Sequence, residues 1–201
     1  SMKQSALLTA AALTLALSVS FPATAGRDAG ITAYKKNEFA TALRELTPDA
    51  EDGDAKAQYY MGLLHGHGYG VPKNPAAVAD WFRKAAEQGM AEAQFDLGHL
   101  YRRGEGVPQD DLKAVNWWQK AADQGDTFAQ SSLAGMYLDG NGVEKSLIQA
   151  YKWTVLAEPR QPGQPVRWNW FSVRRIAKMM KPAELAKAQK LVKEWLRAQR
   201  K

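Results

Sequence analysis

The chain matches itself when shifted by 36 residues, and a repeat of that length constrains the fold more than any other feature. Ala57-Gln58 recurs as Ala93-Gln94 and Ala129-Gln130, and Trp81 recurs as Trp117 and Trp153. Gly68-x-Gly70-Val71 recurs as Gly104-x-Gly106-Val107 and Gly140-x-Gly142-Val143. Three copies follow, at 54–89, 90–125 and 126–161, with Lys84-Ala85-Ala86-Glu87-Gln88-Gly89 closing the first and Lys120-Ala121-Ala122-Asp123-Gln124-Gly125 the second. Ala42, Leu43, Leu46, Ala50, Glu51 and Gly53 fall in the phase of Val78, Ala79, Phe82, Ala86, Glu87 and Gly89, which reads as a half copy capping the array. A unit this short cannot bury its apolar face alone, so the copies must stack on one another.

Each copy divides into two helices. The first, Ala55 to His65 in copy one, carries small or apolar residues at 57, 61, 62 and 64, a helical spacing with one buried stripe. A glycine-rich connection follows. The second helix runs from Pro75 to Gln88, with proline in its first turn and Gly89 just past its end. Gly62 and Gly98 sit mid-helix, where glycine costs about 1 kcal/mol relative to alanine, so a close helix crossing is expected there. Ala134 at the same place in copy three points to a need for small volume.

The A-x-A-Q-aromatic-x-L-G opening, the G-x-G-V-P connection and the W-F/W-x-K-A-A-x-Q-G close resemble the Sel1-like repeat family, a 36-residue relative of the tetratricopeptide repeat. The resemblance covers about residues 28–161. It departs from the pattern in copy three, where Glu144 replaces the proline and Gln161 the terminal glycine. The stretch from Met179 to Trp195 looks like the helix that closes bacterial members, with Lys181-Pro182-Ala183 where Thr-Pro-Glu is common. What the resemblance implies is an all-α fold, an α-solenoid of stacked helical hairpins with an N-terminal half-repeat cap and a C-terminal capping helix. It also implies an adaptor that binds a protein or peptide in the groove of the repeats, with no catalysis.

Composition divides the remainder. At 201 residues, 45% hydrophobic and 24% charged, the chain can bury a core. Residues 1–25 read as a signal peptide: Lys3 is the charged start, Ala6 to Val19 the apolar stretch, and Ala23-Thr24-Ala25 an A-x-A site cleaved after Ala25. The expectation is a periplasmic protein, monomeric, with 26–53 as capping helices, 54–161 as repeats and 162–201 as a basic C-terminal cap. Cysteine is absent, which excludes disulfides and thiolate ligands. Residues 159–201 carry 12 Lys and Arg against 2 acids, whereas residues 1–158 carry 15 against 19. Export argues against nucleic acid as the target of this basic end, leaving an anionic envelope surface or an acidic protein.

The copies also serve as an internal comparison. Positions 57, 93 and 129 are all Ala, and 61, 97 and 133 are Met, Leu and Leu, so that face packs. The stripe at 56, 60, 63 and 67 changes type, from Lys56, Tyr60, Leu63 and His67 to Glu92, Asp96, His99 and Arg103, then Phe128, Ser132, Gly135 and Asp139. Solvated surface would vary in the same way. Tyr60, Leu63, His67, Asp96, His99 and Arg103 are nevertheless the candidate groove contacts, because aromatic residues and arginine concentrate at binding hot spots. Arg167, Trp168, Trp170, Arg174 and Arg175 form the alternative, an aromatic and cationic surface for anionic lipid or cell-wall polymer.

No metal or cofactor is expected. His65 takes the position of Tyr101 and Tyr137, which reads as a packed aromatic substitute, and Gly66 would not orient His65 and His67 as ligands. The glycine run Gly66 to Gly70 lacks the preceding strand and the Lys-Ser or Lys-Thr pair of a phosphate loop. Ser131, Ser132, Ser146 and Ser172 are not followed by lysine three residues on, which leaves them without that activating base. The last helix carries an apolar stripe of Leu185, Ala188, Val192, Trp195 and Leu196, read as a docked amphipathic cap.

Overall fold

The computed structural model describes residues 24–158 and 173–199. They form ten helices and no strand: α1 Thr24–Lys35, α2 Phe39–Glu51, α3 Ala55–His67, α4 Pro75–Glu87, α5 Ala91–Arg103, α6 Asp111–Asp123, α7 Thr127–Asp139, α8 Leu147–Ala157, α9 Val173–Met179 and α10 Pro182–Ala198. Successive pairs α1–α2, α3–α4, α5–α6 and α7–α8 are antiparallel hairpins stacked in chain order, and α9 and α10 close the stack against α8. The architecture is an α-solenoid.

Local chemistry sets the helix ends. Asp54 and Asp126 cap α3 and α7 by accepting from the Ala57 and Ala129 amides at 2.8 and 2.7 Å. Asn74, Asp110 and Ser146 do the same for α4, α6 and α8. The first helix of each copy ends where Gly68, Gly104 or Gly140 enters the left-handed region, at φ 75°, 70° and 76°. The sequence pattern ends that helix at His65. The left-handed residue is Gly68, not Gly66, so Gly66 and His67 belong to α3.

Packing accounts for the mid-helix glycines. A Cβ on Gly62 would run into the Phe82 ring, and one on Gly98 would lie 2.5 Å from Trp118 Nε1. In copy three the position in register with Phe82 and Trp118 is Thr154, a much smaller residue, and Ala134 is tolerated opposite it. The second glycine of each connection answers to a different neighbour. A Cβ on Gly106 or Gly142 would strike the backbone of Pro75 or Asp111, so the loop lies directly on the start of the preceding hairpin's second helix.

The N-terminal cap is a whole hairpin and not half a copy. A Cβ on Gly30 would meet the Leu46 side chain at 2.5 Å, and Leu46 is in register with Phe82. The connection between α1 and α2 has three residues, 36–38, against seven, 68–74, between α3 and α4. That loss of four residues takes α1 out of the 36-residue phase and hides it from a repeat search.

At the other end Ile176, Ala188 and Val192 are buried, and Leu185, Trp195 and Leu196 pack beside them against the core of the repeats. Gln199 Nε2 reaches back to the Asp123 carbonyl at 2.8 Å. Arg167, Trp168 and Trp170 lie outside the described residues.

Candidate functional site

The stripe that varies between copies stays open at the surface of the stack. None of its twelve positions is buried, whereas Ala57, Ala93, Ala129, Leu97 and Leu133 are. Between α3 and α5 the stripe forms one wall of a cavity of about 370 Å³. Leu63 and His67 enter from α3, Asp96, His99 and Arg103 from α5, and Phe82 and Val78 of α4 form an apolar floor. Gly62 also lines this space, and the Phe82 ring packs directly on its backbone.

Five of the six candidate groove residues therefore surround one cavity. The sixth, Tyr60, is turned toward the N-terminal hairpin, with its ring 5.0 Å from that of Tyr34 and nearly perpendicular to it. On the C-terminal side Arg174 and Arg175 are exposed on α9.

The cavity wall is organised by contacts that reach across a copy boundary. Tyr59 donates its hydroxyl to Asp96 Oδ2 at 2.9 Å, tying α3 to α5. Burial pushes the Asp96 carboxyl above its ordinary range, the Tyr59 hydrogen bond pulls it back, and the charges of Asp126 and Glu92 push it up. Burial also raises the Tyr59 phenol, with the Asp96 charge acting in the same direction. His99 stands edge-on to Phe95 and Trp118, at centroid distances of 4.6 and 5.1 Å. Burial lowers its pKa, Arg103 lowers it again, and Glu105 opposes both. The imidazole is accordingly biased toward its neutral form, able to donate from one nitrogen and accept at the other.

Beside this wall the exposed Phe128 ring sits 5.8 Å from that of Phe95, extending an aromatic surface toward copy three. Stacked rings of Phe39 and Tyr69, 3.9 Å apart, extend it the other way, with His67 stacked on Tyr69 at 4.9 Å. The face offers aromatic area, the half-buried carboxylate of Asp96, the imidazoles of His67 and His99 and the exposed guanidinium of Arg103. That mixture suits recognition of a peptide carrying both apolar and polar groups.

Sequence reasoning did not assign Tyr59 to the site. Its partner lies 37 residues away, one copy and one residue along the chain, and the copy comparison aligns Tyr59 with Phe95 and Ser131, which share no hydroxyl geometry.

A family model for the Sel1 repeat matches residues 55–90, 91–126 and 127–157. The chain belongs to the Sel1 repeat family. The matched boundaries fall one residue after those drawn from the 36-residue phase, and the third match ends with α8. Two solved structures agree with the Sel1 assignment. A Sel1 repeat protein from Oxalobacter formigenes is 37% identical with a TM-score of 0.63, over 65% of this chain and 54% of that one. A protective antigen with an SLR fold, present in uropathogenic Escherichia coli strains, is 34% identical with a TM-score of 0.64, over 67% of this chain and 30% of that one. This chain thus spans about half and about a third of those proteins. No curated protein matches it. Sel1 repeat proteins generally mediate protein–protein interaction, and the open stripe on α3, α5 and α7 changes residue type from copy to copy.

Proposed function

We propose that this protein is a non-catalytic adaptor of the bacterial periplasm that holds a peptide or protein segment against α3 and α5. The observation that carries the proposal is the 370 Å³ cavity, whose open wall is built from first-helix positions that change type between copies, while the packed first-helix positions 57, 93 and 129 stay Ala and 61, 97 and 133 stay Met or Leu. Leu63, Phe82 and Val78 supply an apolar seat, and Asp96, His99 and Arg103 supply directional polar contacts above it. Such a combination gives affinity through apolar burial and specificity through polar groups that must be paired. The periplasmic location rests on the leader pattern of residues 1–25.

Two measurements test this. Capture from an envelope extract should retain a discrete protein on the wild-type chain and lose it with Leu63→Glu or Arg103→Glu, both placed on the open face. Retention untouched by these changes would remove the groove from the account. Cell fractionation should find the mature chain in the periplasm, beginning at Gly26, and a cytoplasmic chain that retains its leader would refute the location.

The basic end supports a second reading. Arg174, Lys178, Lys187, Lys190, Lys193 and Arg197 are exposed on α9 and α10, opposite the apolar stripe that docks on the repeats. Such a face would hold an anionic lipid or polymer surface. Binding that falls steeply between low and moderate salt, and that survives the groove substitutions, would favour it.

A further inference from the structure

In each copy one pair of positions joins the end of the first helix to the start of the second, and the three copies fill it differently. Copy two holds an ion pair there, Arg102 to Asp111 at 3.0 Å. Copy three holds two leucines, Leu138 buried in the core of the repeats and Leu147 packed against that core. Copy one holds Gly66 and Pro75, and a cavity of about 420 Å³ lies on both.

Packing does not require this glycine. A Cβ on Gly66 would meet only a methyl of Val78, at 3.5 Å, which is an ordinary contact, and Gly66 does not enter the left-handed region. Glycine within a helix is unfavourable relative to alanine, so what it preserves here is the open space. Val78, Leu100 and Pro75 give that space apolar walls, and Lys73 and Glu105 give it charges. Glu105 is engaged by Arg103 at 3.6 Å. Lys73 makes no ion pair among the described residues. Its stem lies against Gly68, where a Cβ would stand 2.8 Å from Lys73 Cγ. The surplus charge at the cavity is therefore positive.

The cavity has a way in and a closed side. It shares Gly66, Val78, Leu100 and Glu105 with the cavity between α3 and α5, so a segment lying in the groove reaches it directly. On the side away from the groove Gly106 rests on the Pro75 carbonyl, and the two copies close on each other there.

We propose that this cavity receives the C-terminal residue of the partner chain, with an aliphatic side chain against Val78 and Leu100 and the α-carboxylate on Lys73 Nζ. Apolar walls call for apolar surface, and the ammonium calls for an anion that accepts a charge-assisted hydrogen bond. A terminal aliphatic residue carries both on one α-carbon, and it needs no passage beyond the contact of Gly106 with Pro75. The proposal rests on the groove reading for the route of the chain and names the end that the chain presents.

The test is an NMR titration of the full 201-residue chain, labelled at its methyl groups, with acetyl-Gly-Gly-Leu as the free acid. Its C-terminal amide, acetyl-Gly-Gly-Gly as the free acid and acetyl-Gly-Leu-Glu-Gly amide are the controls. The leucine acid should shift the Val78 and Leu100 methyl resonances and bind roughly tenfold more tightly than each control, the scale of one charge-assisted hydrogen bond or one buried aliphatic side chain. Lys73→Gln should erase the preference for acid over amide without unfolding the protein, because Lys73 is exposed. Gly66→Leu, which places the leucine of copy three here, should abolish binding while the urea midpoint shows the fold intact. Leu63→Glu separates the two readings, since of the two cavities Leu63 lines only the groove: it should abolish capture of the envelope partner and leave the tripeptide bound. Capture that survives Leu63→Glu beside an intact tripeptide response would remove the groove reading and keep the terminal site. Equal response to acid and amide, or tripeptide binding that survives Gly66→Leu or is lost with Leu63→Glu, would overturn the site. A response to the internal glutamate as strong as to the free acid would overturn the terminal assignment.

Discussion

Copies one and two solve the same packing problem with a glycine facing a large ring, while copy three solves it with an alanine and a threonine. Gly62 faces Phe82 and Gly98 faces Trp118, whereas Ala134 shares its register with Thr154. In copies one and two a buried glutamine also donates to a carbonyl of the preceding hairpin and accepts from a second glutamine, Gln58 from Gln88 and Gln94 from Gln124. Gln130 of copy three makes the first bond alone among the described residues. The lesson is that the repeat keeps a compatible pair and not an identity: where a large ring fills the helix crossing the facing residue is glycine, and where the ring is lost alanine stands there instead. Where the array ends, the C-terminal helices restore the buried apolar surface but, among the described residues, not the donor to Gln130.

A set of substitutions would break or sharpen that contrast. Trp118→Ala should have the largest effect, a loss of roughly 3–5 kcal/mol, because it empties the space between α5 and α6 and removes the bond from Trp118 Nε1 to the Phe95 carbonyl. Denaturant unfolding reads this directly, and a loss below about 1 kcal/mol would mean that the ring is not what fills the crossing. Gly98→Ala should cost about 1–3 kcal/mol through overpacking, despite alanine's better helix propensity, since its Cβ meets the indole. The reverse change at the last copy, Ala134→Gly, should cost only about 1 kcal/mol of propensity. If the two changes had equal effects, the volume trade would be wrong.

The glutamines give a subtler comparison. Gln94→Leu removes two hydrogen bonds, the one to the Ala86 carbonyl and the one from Gln124, so about 2 kcal/mol is expected. Gln130→Leu removes one hydrogen bond, to the Ala122 carbonyl, and an oxygen without a donor among the described residues; roughly half the cost should follow. Matching unfolding midpoints for the two variants would contradict the picture of an incomplete third lock.

The smallest effect is a pH dependence. His99 is held below its ordinary value of 6.5, so between the folded and unfolded values the unfolded chain binds more protons. Its contribution to stability is complete above 6.5 and is lost as pH falls through the folded pKa. His99→Leu, borrowing the residue that stands at 63, should flatten the stability slope just below that pH. Asp96 acts with the opposite sign: its folded pKa is raised above 3.8, so its contribution improves as pH falls through the folded value. Urea midpoints collected against pH for the wild type, His99→Leu and Asp96→Asn would separate the two.

How much of this was visible in sequence depends on distance along the chain. Ala57, Gly62, Gly68 and Trp81 recur at a fixed period, so hairpins, crossings and caps could be read by laying copies side by side. The hairpin α1–α2 escaped because its short connection shifts α1 by four residues, although Gly30 does the same work as Gly62. Leu63, Asp96, His99 and Arg103 stood out by varying where the packed face does not vary, and the structure gathers them with His67 around one cavity. Tyr60 shares that variability but faces Tyr34, a neighbour that only the hidden helix α1 supplies. The Gln130 oxygen, without a donor among the described residues, was not legible at all. Its meaning comes from bonds that join residues 30 apart in the other two copies.

The central claim is that the varying face of the first helices, and not the basic C-terminal end, recognises a partner. Site-specific photo-crosslinking in living cells tests it most directly, with the crosslinking amino acid placed at Leu63 or His99 and, separately, at Lys178 or Lys190. The account expects a discrete protein adduct from positions 63 and 99 and none from 178 and 190. Adducts confined to 178 and 190 would make the basic helices the recognition surface and leave the repeat groove as their support.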